Sequence, residues 1–350
     1  MPKGDSLVTV VVPAYNAEAT LDMTLDSVRN QTHRKLEIIV VVDGATDDTE
    51  AVARRHARED ARIKVMVTPN RGLVPTRNTG ARAGSGEFIA PVDADDVWHH
   101  EKIEKQLAVF DEGGPEMGLV YTLFRRIDTW CYLIRDGAYT CWSGRIFGPS
   151  LLYNCVGNGS SILIRRSAFE QVGGYNTDLN RLGCEDYLLQ VLISHDWTIG
   201  VVPEYLTGYR YDDASMSRNH LRMAQARLKM LEIVALRHPD VQGDLMRLAQ
   251  SQAIAELAIA QARHGKLVRA VSAFVRAGQI NTMSTASYAV YRIRDFSYRF
   301  VRNAGTRLRR EKPPKFQHLN PRVRYSIQFN PRRSRTMRRL LRQSNLPTEL

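Results

Sequence analysis

The apolar run at 36–42, Leu-Glu-Ile-Ile-Val-Val-Val, constrains the fold more than any other stretch of this chain. A strand of this kind has no face to give to water, and it is at home in a parallel sheet covered by helices on both sides. It closes on Asp43-Gly44 and leads into a helix rich in Ala and Arg. The unit recurs along the chain. Residues 7–12 are a β-branched run stopped by Pro13, and Leu21, Leu25 and Val28 then follow at helical spacing within 17–30. Further strands are expected at 63–68 and 87–92, with a helix around 76–83 between them. Strands alternating with helices predict an α/β fold with a mostly parallel sheet, whose ligands bind beyond the carboxyl ends of the strands. Three polar clusters fall there: Tyr15-Asn16, Asp43-Gly44 and Asp93-Ala94-Asp95-Asp96.

Residues 118–165 change character. Strand-like pieces at 118–126 and 160–165 are separated by Trp130, Tyr139 and Trp142 in Gly-containing loops, which reads as an antiparallel addition to the sheet. These aromatic residues either line an acceptor cleft or fill the core, and core is favoured for at least two of them. From Leu221 the spacing becomes helical through Ala224, Leu228, Leu231 and Ala235, and helical segments continue to about 277. The expected organisation is a catalytic domain at 1–219, a helical region at 220–310 and a basic, partly disordered tail at 311–350.

The formal net charge of +12 is concentrated toward the C-terminus: residues 291–350 hold 17 Lys and Arg against three acids, leaving −2 for the rest. Nucleic-acid binding is therefore a reading for the tail alone, since the acidic clusters of the first domain oppose a nucleic-acid cleft there. Val290, Ile293, Phe296 and Phe300, with arginines around them, describe a basic amphipathic helix. Contact with an anionic membrane through 286–350 and packing on the enzyme are both open for it. No stretch approaches the ~20 apolar residues that cross a bilayer, and the first residues lack a secretory core, so a cytoplasmic protein is expected, at most peripheral to the inner face of the membrane. The cysteines Cys131, Cys141, Cys155 and Cys184 have neither metal-ligand nor disulfide spacing and are expected to be reduced.

Three carboxylates within four residues repel one another unless a cation sits among them. Hard divalent ions such as Mn2+ or Mg2+ take oxygen ligands and bridge carboxylates to substrate phosphates. The competing reading of 93–96 is a helix-capping loop, and its place at a strand end favours the metal. His99 and His100 are expected to diverge from one another and be solvated. Arg77 is either a surface residue on a short helix or a diphosphate partner. Asp43, ending an apolar strand, is a better ligand candidate than Asp47 or Asp48, which read as caps. Glu185-Asp186 opens an amphipathic helix, where a carboxylate serves as a general base in a cleft or simply answers the helix dipole.

These segments together resemble the inverting family 2 glycosyltransferases of the GT-A fold, over roughly 7–219. The matching pieces come in order: Val10-Val11-Val12-Pro13-Ala14-Tyr15-Asn16, Val42-Asp43-Gly44 through Thr49, Asn70 to Gly80, Asp93 to Asp96, Gly173-Gly174-Tyr175, Glu185-Asp186, and Tyr209-Arg210 with Ser215-Met216-Ser217. The resemblance implies a nucleoside-diphosphate sugar as donor. It implies Tyr15 and Asp43 at the base and ribose, with Pro13 and Ala94 on the same side, Arg77 near the diphosphate and Asp93 facing the nucleotide sugar. It further implies Asp95 as metal ligand, Asp186 as catalytic base, and a glycan, lipid-linked or other hydroxyl acceptor, in keeping with cell-surface polysaccharide or glycolipid synthesis. The chain departs from the family in two places. Val42 stands where a second aspartate often precedes the glycine, and Asp212 and Asp213 replace a histidine that helps hold the metal, which leaves Asp212 as the candidate second ligand. A sugar-phosphate nucleotidylyltransferase and a non-catalytic sugar-nucleotide binder are the alternatives, the first opposed by the lack of a Gly-rich phosphate loop near the N-terminus.

Overall fold

The computed structural model describes residues 6–137, 141–211, 219–241, 243–282, 285–286 and 315–316. The first five strands, β1 (Val8–Ala14), β2 (Leu36–Asp43), β3 (Ile63–Thr68), β4 (Phe88–Pro91) and β5 (Val97–Trp98), alternate with helices α1 (Leu21–Arg29), α2 (Thr49–Glu59) and α3 (Leu73–Ala83) until the β4–β5 turn. Then come α4 (Lys102–Gly113), β6 (Met117–Ile127), β7 (Leu133–Asp136), α5 (Phe147–Leu152), β8 (Ile162–Arg165), α6 (Arg166–Gln171), α7 (Glu185–Asp196) and β9 (Thr198–Arg210). Helices α8 (His220–Arg237), α9 (Asp244–Arg263) and α10 (Leu267–Ile280) follow.

The strands form one sheet in the order β3-β2-β1-β4-β8-β6-β9-β5, with β7 beside β6. The half built from β3, β2, β1 and β4 is parallel. The expected antiparallel addition is present: β8 runs against both β4 and β6, although β6 and β9 are parallel to each other. The period of two in a strand explains how one apolar run serves two layers. Val10 and Val12 pack with Leu21 and Leu25 of α1 and with Ile103 and Phe110 of α4. Val11 turns the other way, toward a core shared by Val74 and Ala81 of α3, Leu188 and Leu192 of α7, and Met230 and Val234 of α8. Helices α8 and α9 thus close over the sheet's second face and share its core, while α10 packs on α9 in a separate cluster.

Helix α3 lies close to the sheet because Gly80 has no side chain there. A Cβ at Gly80 would sit 2.5 Å from Cγ1 of Val11, a stiff, fully buried β-branched residue. Of the tail, Lys315 and Phe316 are described: Lys315 is exposed and forms a β-bridge with Tyr132, whereas Phe316 is buried with Cys131, Val97 and Ile127. The proposed amphipathic helix from 290 and Tyr139 lie outside the described residues. Among those described, Trp142 packs on the core but Trp130 is 70% exposed. None of the four cysteines forms a disulfide. No described helix is long and apolar enough to cross a membrane.

Gly80→Val is expected to lower stability by about 1–3 kcal/mol through overpacking against Val11. Urea unfolding followed by circular dichroism measures this.

Candidate functional site

The three polar clusters seen in the sequence meet at the carboxyl edge of the parallel half. Tyr15 follows β1 and is 53% exposed, a ring open to a flat partner, whereas Pro13 and Ala94 are buried. Asn16 adopts a positive φ of 45° and accepts from Thr46 N at 2.9 Å, which joins the β1 and β2 loops. Asp43 is 3% exposed, and its carboxylate accepts the Arg71 and Gly72 amides at 2.9 and 2.8 Å. It therefore anchors the loop that starts α3. Asp47 has the expected capping role: Oδ1 accepts from Thr49 N at 3.1 Å and Oδ2 from Glu18 N.

The acidic turn between β4 and β5 is held by its backbone. Thr20 and Thr24 of the α1 region both donate to the Ala94 carbonyl at 2.9 Å. Arg210, at the end of β9 and 2% exposed, donates its Nε to the Asp95 carbonyl at 2.6 Å and its backbone N–H to Asp96 Oδ1 at 2.9 Å. Asp96 is fully buried. Burial, and then the charges of Asp95 and Asp93, push its carboxyl well above the usual carboxylate range. Ligand oxygens of Asp93, Asp95 and Asp96 lie within 4.8 Å of one another. An all-oxygen set with one buried, orphaned oxygen, Asp96 Oδ2, fits a hard divalent cation. Asp212 and Asp213 lie outside the described residues. His99 and His100 form a separate group with Glu101. Contrary to expectation, their rings do not diverge but lie 4.2 Å apart, and His99 is buried rather than solvated, its backbone N–H donating to the Leu206 carbonyl of β9, while His100 is exposed.

Arg77 is no surface residue. It is 2% exposed, donates Nη1 to Glu185 Oε1 at 2.7 Å and Nη2 to Asp93, and lies over the Tyr175 ring. Burial works against its charge, but Asp93, Tyr175 and Glu185 outweigh it and hold the guanidinium cationic. Helix α3 also explains Gly174: Asn78 exchanges hydrogen bonds with the backbone of Tyr175 at 2.8 and 3.0 Å, and a Cβ at Gly174 would come 2.8 Å from Asn78 Oδ1.

Asp186 sits in the first turn of α7 and borders a cavity of about 390 Å³ that Arg77, Asp93 and Glu185 also line. Its Oδ1 accepts the Tyr187 amide at 2.7 Å. Burial and the neighbouring Glu185 push its carboxyl up to about 6 despite Arg77. The far wall is made by Met223 and Arg227 of α8 and Glu256 of α9, with Arg227 Nη1 on Glu256 at 2.7 Å. Pattern reading missed Arg210, Glu185 as the partner of Arg77, and this far wall. Tyr209-Arg210 carried a signal as a matched motif, but the α8 and α9 residues carried none beyond helical spacing.

Residues 9–173 match the family described as Glycosyl transferase family 2. This part of the chain is a family 2 glycosyltransferase domain. The chain is 33% identical over 154 residues to an uncharacterized glycosyltransferase of Rickettsia bellii, taking in 43% of this chain and 21% of the relative. It is 40% identical over 113 residues to the putative glycosyltransferase EpsH of Bacillus subtilis, 32% of each. The matched stretches thus span less than half of these relatives. Among solved structures, the mannosyltransferase PcManGT of Pyrobaculum calidifontis, in complex with GDP-Man and Mn2+, superposes with a TM-score of 0.57 at 20% identity, covering 87% of this chain and 85% of that one. S. aureus TarS with UDP-GlcNAc gives 0.52 at 17% identity, covering 82% and 91%. The fold is the GT-A architecture that the glycosyltransferase resemblance implies.

Arg77→Ala leaves two buried or half-buried carboxylates without their cation. It is expected to destabilise the domain by about 3–5 kcal/mol, read as a shift of the urea midpoint.

Proposed function

We propose that the protein is a metal-dependent, inverting glycosyltransferase that moves a sugar from a nucleoside diphosphate to an acceptor hydroxyl. One observation carries this reading: Asp186, a carboxylate whose proton affinity is tuned near neutrality, shares a cavity with the Arg77–Asp93 pair at the edge where the nucleotide clusters meet. In support, PcManGT was solved with GDP-Man and Mn2+, and TarS with UDP-GlcNAc.

Tyr15 offers its exposed ring to the base, and the loop anchored by Asp43 shapes the ribose side, with Pro13 and Ala94 behind it. Asp95 is the proposed metal ligand with Asp93 beside it, while Asp212 is assigned from the sequence alone. A divalent ion there supplies Lewis-acid stabilisation of the departing diphosphate. Arg77 keeps Asp93 oriented toward the donor sugar and adds positive potential where negative charge develops. Asp186 accepts the proton of the acceptor hydroxyl as its oxygen attacks the anomeric carbon. Glu185, the carboxylate next to it, is held by Arg77 and does not compete as a nucleophile, which supports a single displacement with inversion.

Asp186→Asn is expected to lower kcat by ~10²- to 10⁴-fold with donor binding preserved. Because the base works deprotonated and its carboxyl titrates at about 6, parental kcat/KM is expected to fall as pH drops below about 6 and to level off above it. The N-variant's residual rate should lack that limb. A thermal-shift panel of nucleoside diphosphates and their sugars tests the donor: stabilisation that requires added Mn2+ or Mg2+ supports the reading, and none with any nucleotide refutes it.

A further inference from the structure

Helix α10 leaves an apolar stripe in water. Ala270 and Ala277 are buried against α9, and at the adjoining helical positions Leu267, Val268, Val271 and Val275 are 65%, 85%, 64% and 54% exposed, with Phe274 at 41%. Side chains at i, i+4 and i+8 share a helix face, so Leu267, Val271 and Val275 form one continuous strip. Isolated exposed apolar residues need no explanation, but five on two adjacent turns of one helix expose more apolar surface than water tolerates without a partner.

The charges around the strip are of one sign. Arg263 at the end of α9 and Lys266 at the N-cap of α10 are exposed, Arg269 and Arg276 are exposed on the flank of α10 turned from the strip, and between Glu256 and Asp295 the sequence has six Lys and Arg and no acid. A second copy offering the same face brings together two segments that carry only positive charge. An anionic bilayer surface complements both features, taking apolar side chains into its headgroup boundary while lysines and arginines reach lipid phosphates and carboxylates. We propose that α10 lies in the interface of an anionic membrane through Leu267, Val271, Phe274 and Val275. The helix is short for an independent anchor, and its docking is reinforced by the 17 Lys and Arg of residues 291–350. Weak apolar insertion and electrostatic attraction together give stable attachment where either alone is marginal. The consequence concerns the cavity, since α10 packs along α9 at Ile254, Ala255 and Ile259, and α9 supplies Glu256 to the wall opposite Asp186. Membrane attachment therefore places the helix layer that lines the cavity next to the lipid, although the inference itself stands apart from the catalytic reading.

The test is co-sedimentation of the intact chain with vesicles of phosphatidylcholine containing phosphatidylserine, and with phosphatidylcholine alone. The parent should bind the anionic vesicles, more weakly at high salt, and should bind the neutral ones poorly. The double variant Val271→Glu, Val275→Glu changes only exposed positions, so its circular dichroism and melting temperature should match the parent. Its partition onto anionic vesicles should fall by about tenfold or more. Val271→Leu with Val275→Leu should restore binding. Any thermal shift by nucleotide and metal should survive in both variants, which separates loss of membrane docking from loss of the donor site. Failure of the parent to bind, or binding unchanged in the Glu variant, overturns the proposal. So does a concentration-dependent dimer abolished by the Glu variant without vesicle binding, which would make the strip a self-association face.

Discussion

A guanidinium that is almost fully enclosed must find carboxylates, and in this protein Arg77 finds two from distant parts of the chain. Asp93 comes from the turn after β4 and Glu185 from the start of α7, so one cation ties the parallel half of the sheet to the helix that carries Asp186. Removing either carboxylate leaves the cation short of countercharge in a poorly solvated place. The cost of that imbalance locks α3, the acidic turn and α7 into one geometry. The same arrangement keeps three acidic groups close together without mutual expulsion, as the proposed donor and metal site requires.

A second cation does comparable work for the backbone. Arg210 reaches from the last strand to the carbonyls of Asp95 and Asp128, while Thr20 and Thr24 hold the Ala94 carbonyl from the other side. The acidic turn is thus fixed through its peptide groups as well as through the Asp93–Arg77 ion pair. Rigid support beneath a charged site lowers the reorganisation needed when charge shifts during a reaction. The helices at the C-terminus extend the same principle outward: α8 and α9 share the core of the sheet and wall the cavity, and α10 stands behind them with its apolar strip exposed.

Much of this was legible from local pattern. The run at 36–42, Pro13 and the helical spacing at Leu21, Leu25 and Val28 named the first elements, because period and punctuation are properties of neighbours in sequence. The strand-end clusters were legible for the same reason, since a parallel sheet puts every such end on one edge. Arg77 was undecidable at that level: an Arg on a short helix looks the same whether it faces water or two carboxylates that arrive 16 and 108 positions later. His99 was misjudged because its backbone pairs with β9, a strand more than a hundred residues further on, so it continues the sheet rather than opening a solvated helix start.

The sequence by itself thus determined which residues form strands and helices, where the acidic groups cluster, and that the chain resembles a glycosyltransferase, since these depend on order and spacing along the chain. Only the tertiary structure decided that Arg77 is a buried bridge, that Glu185 is its partner while Asp186 borders the cavity with a raised proton affinity, and that α8 and α9 close that cavity. Burial and charge pairing between remote segments are set by how layers pack, and their energies exist only once solvent has been displaced from between them.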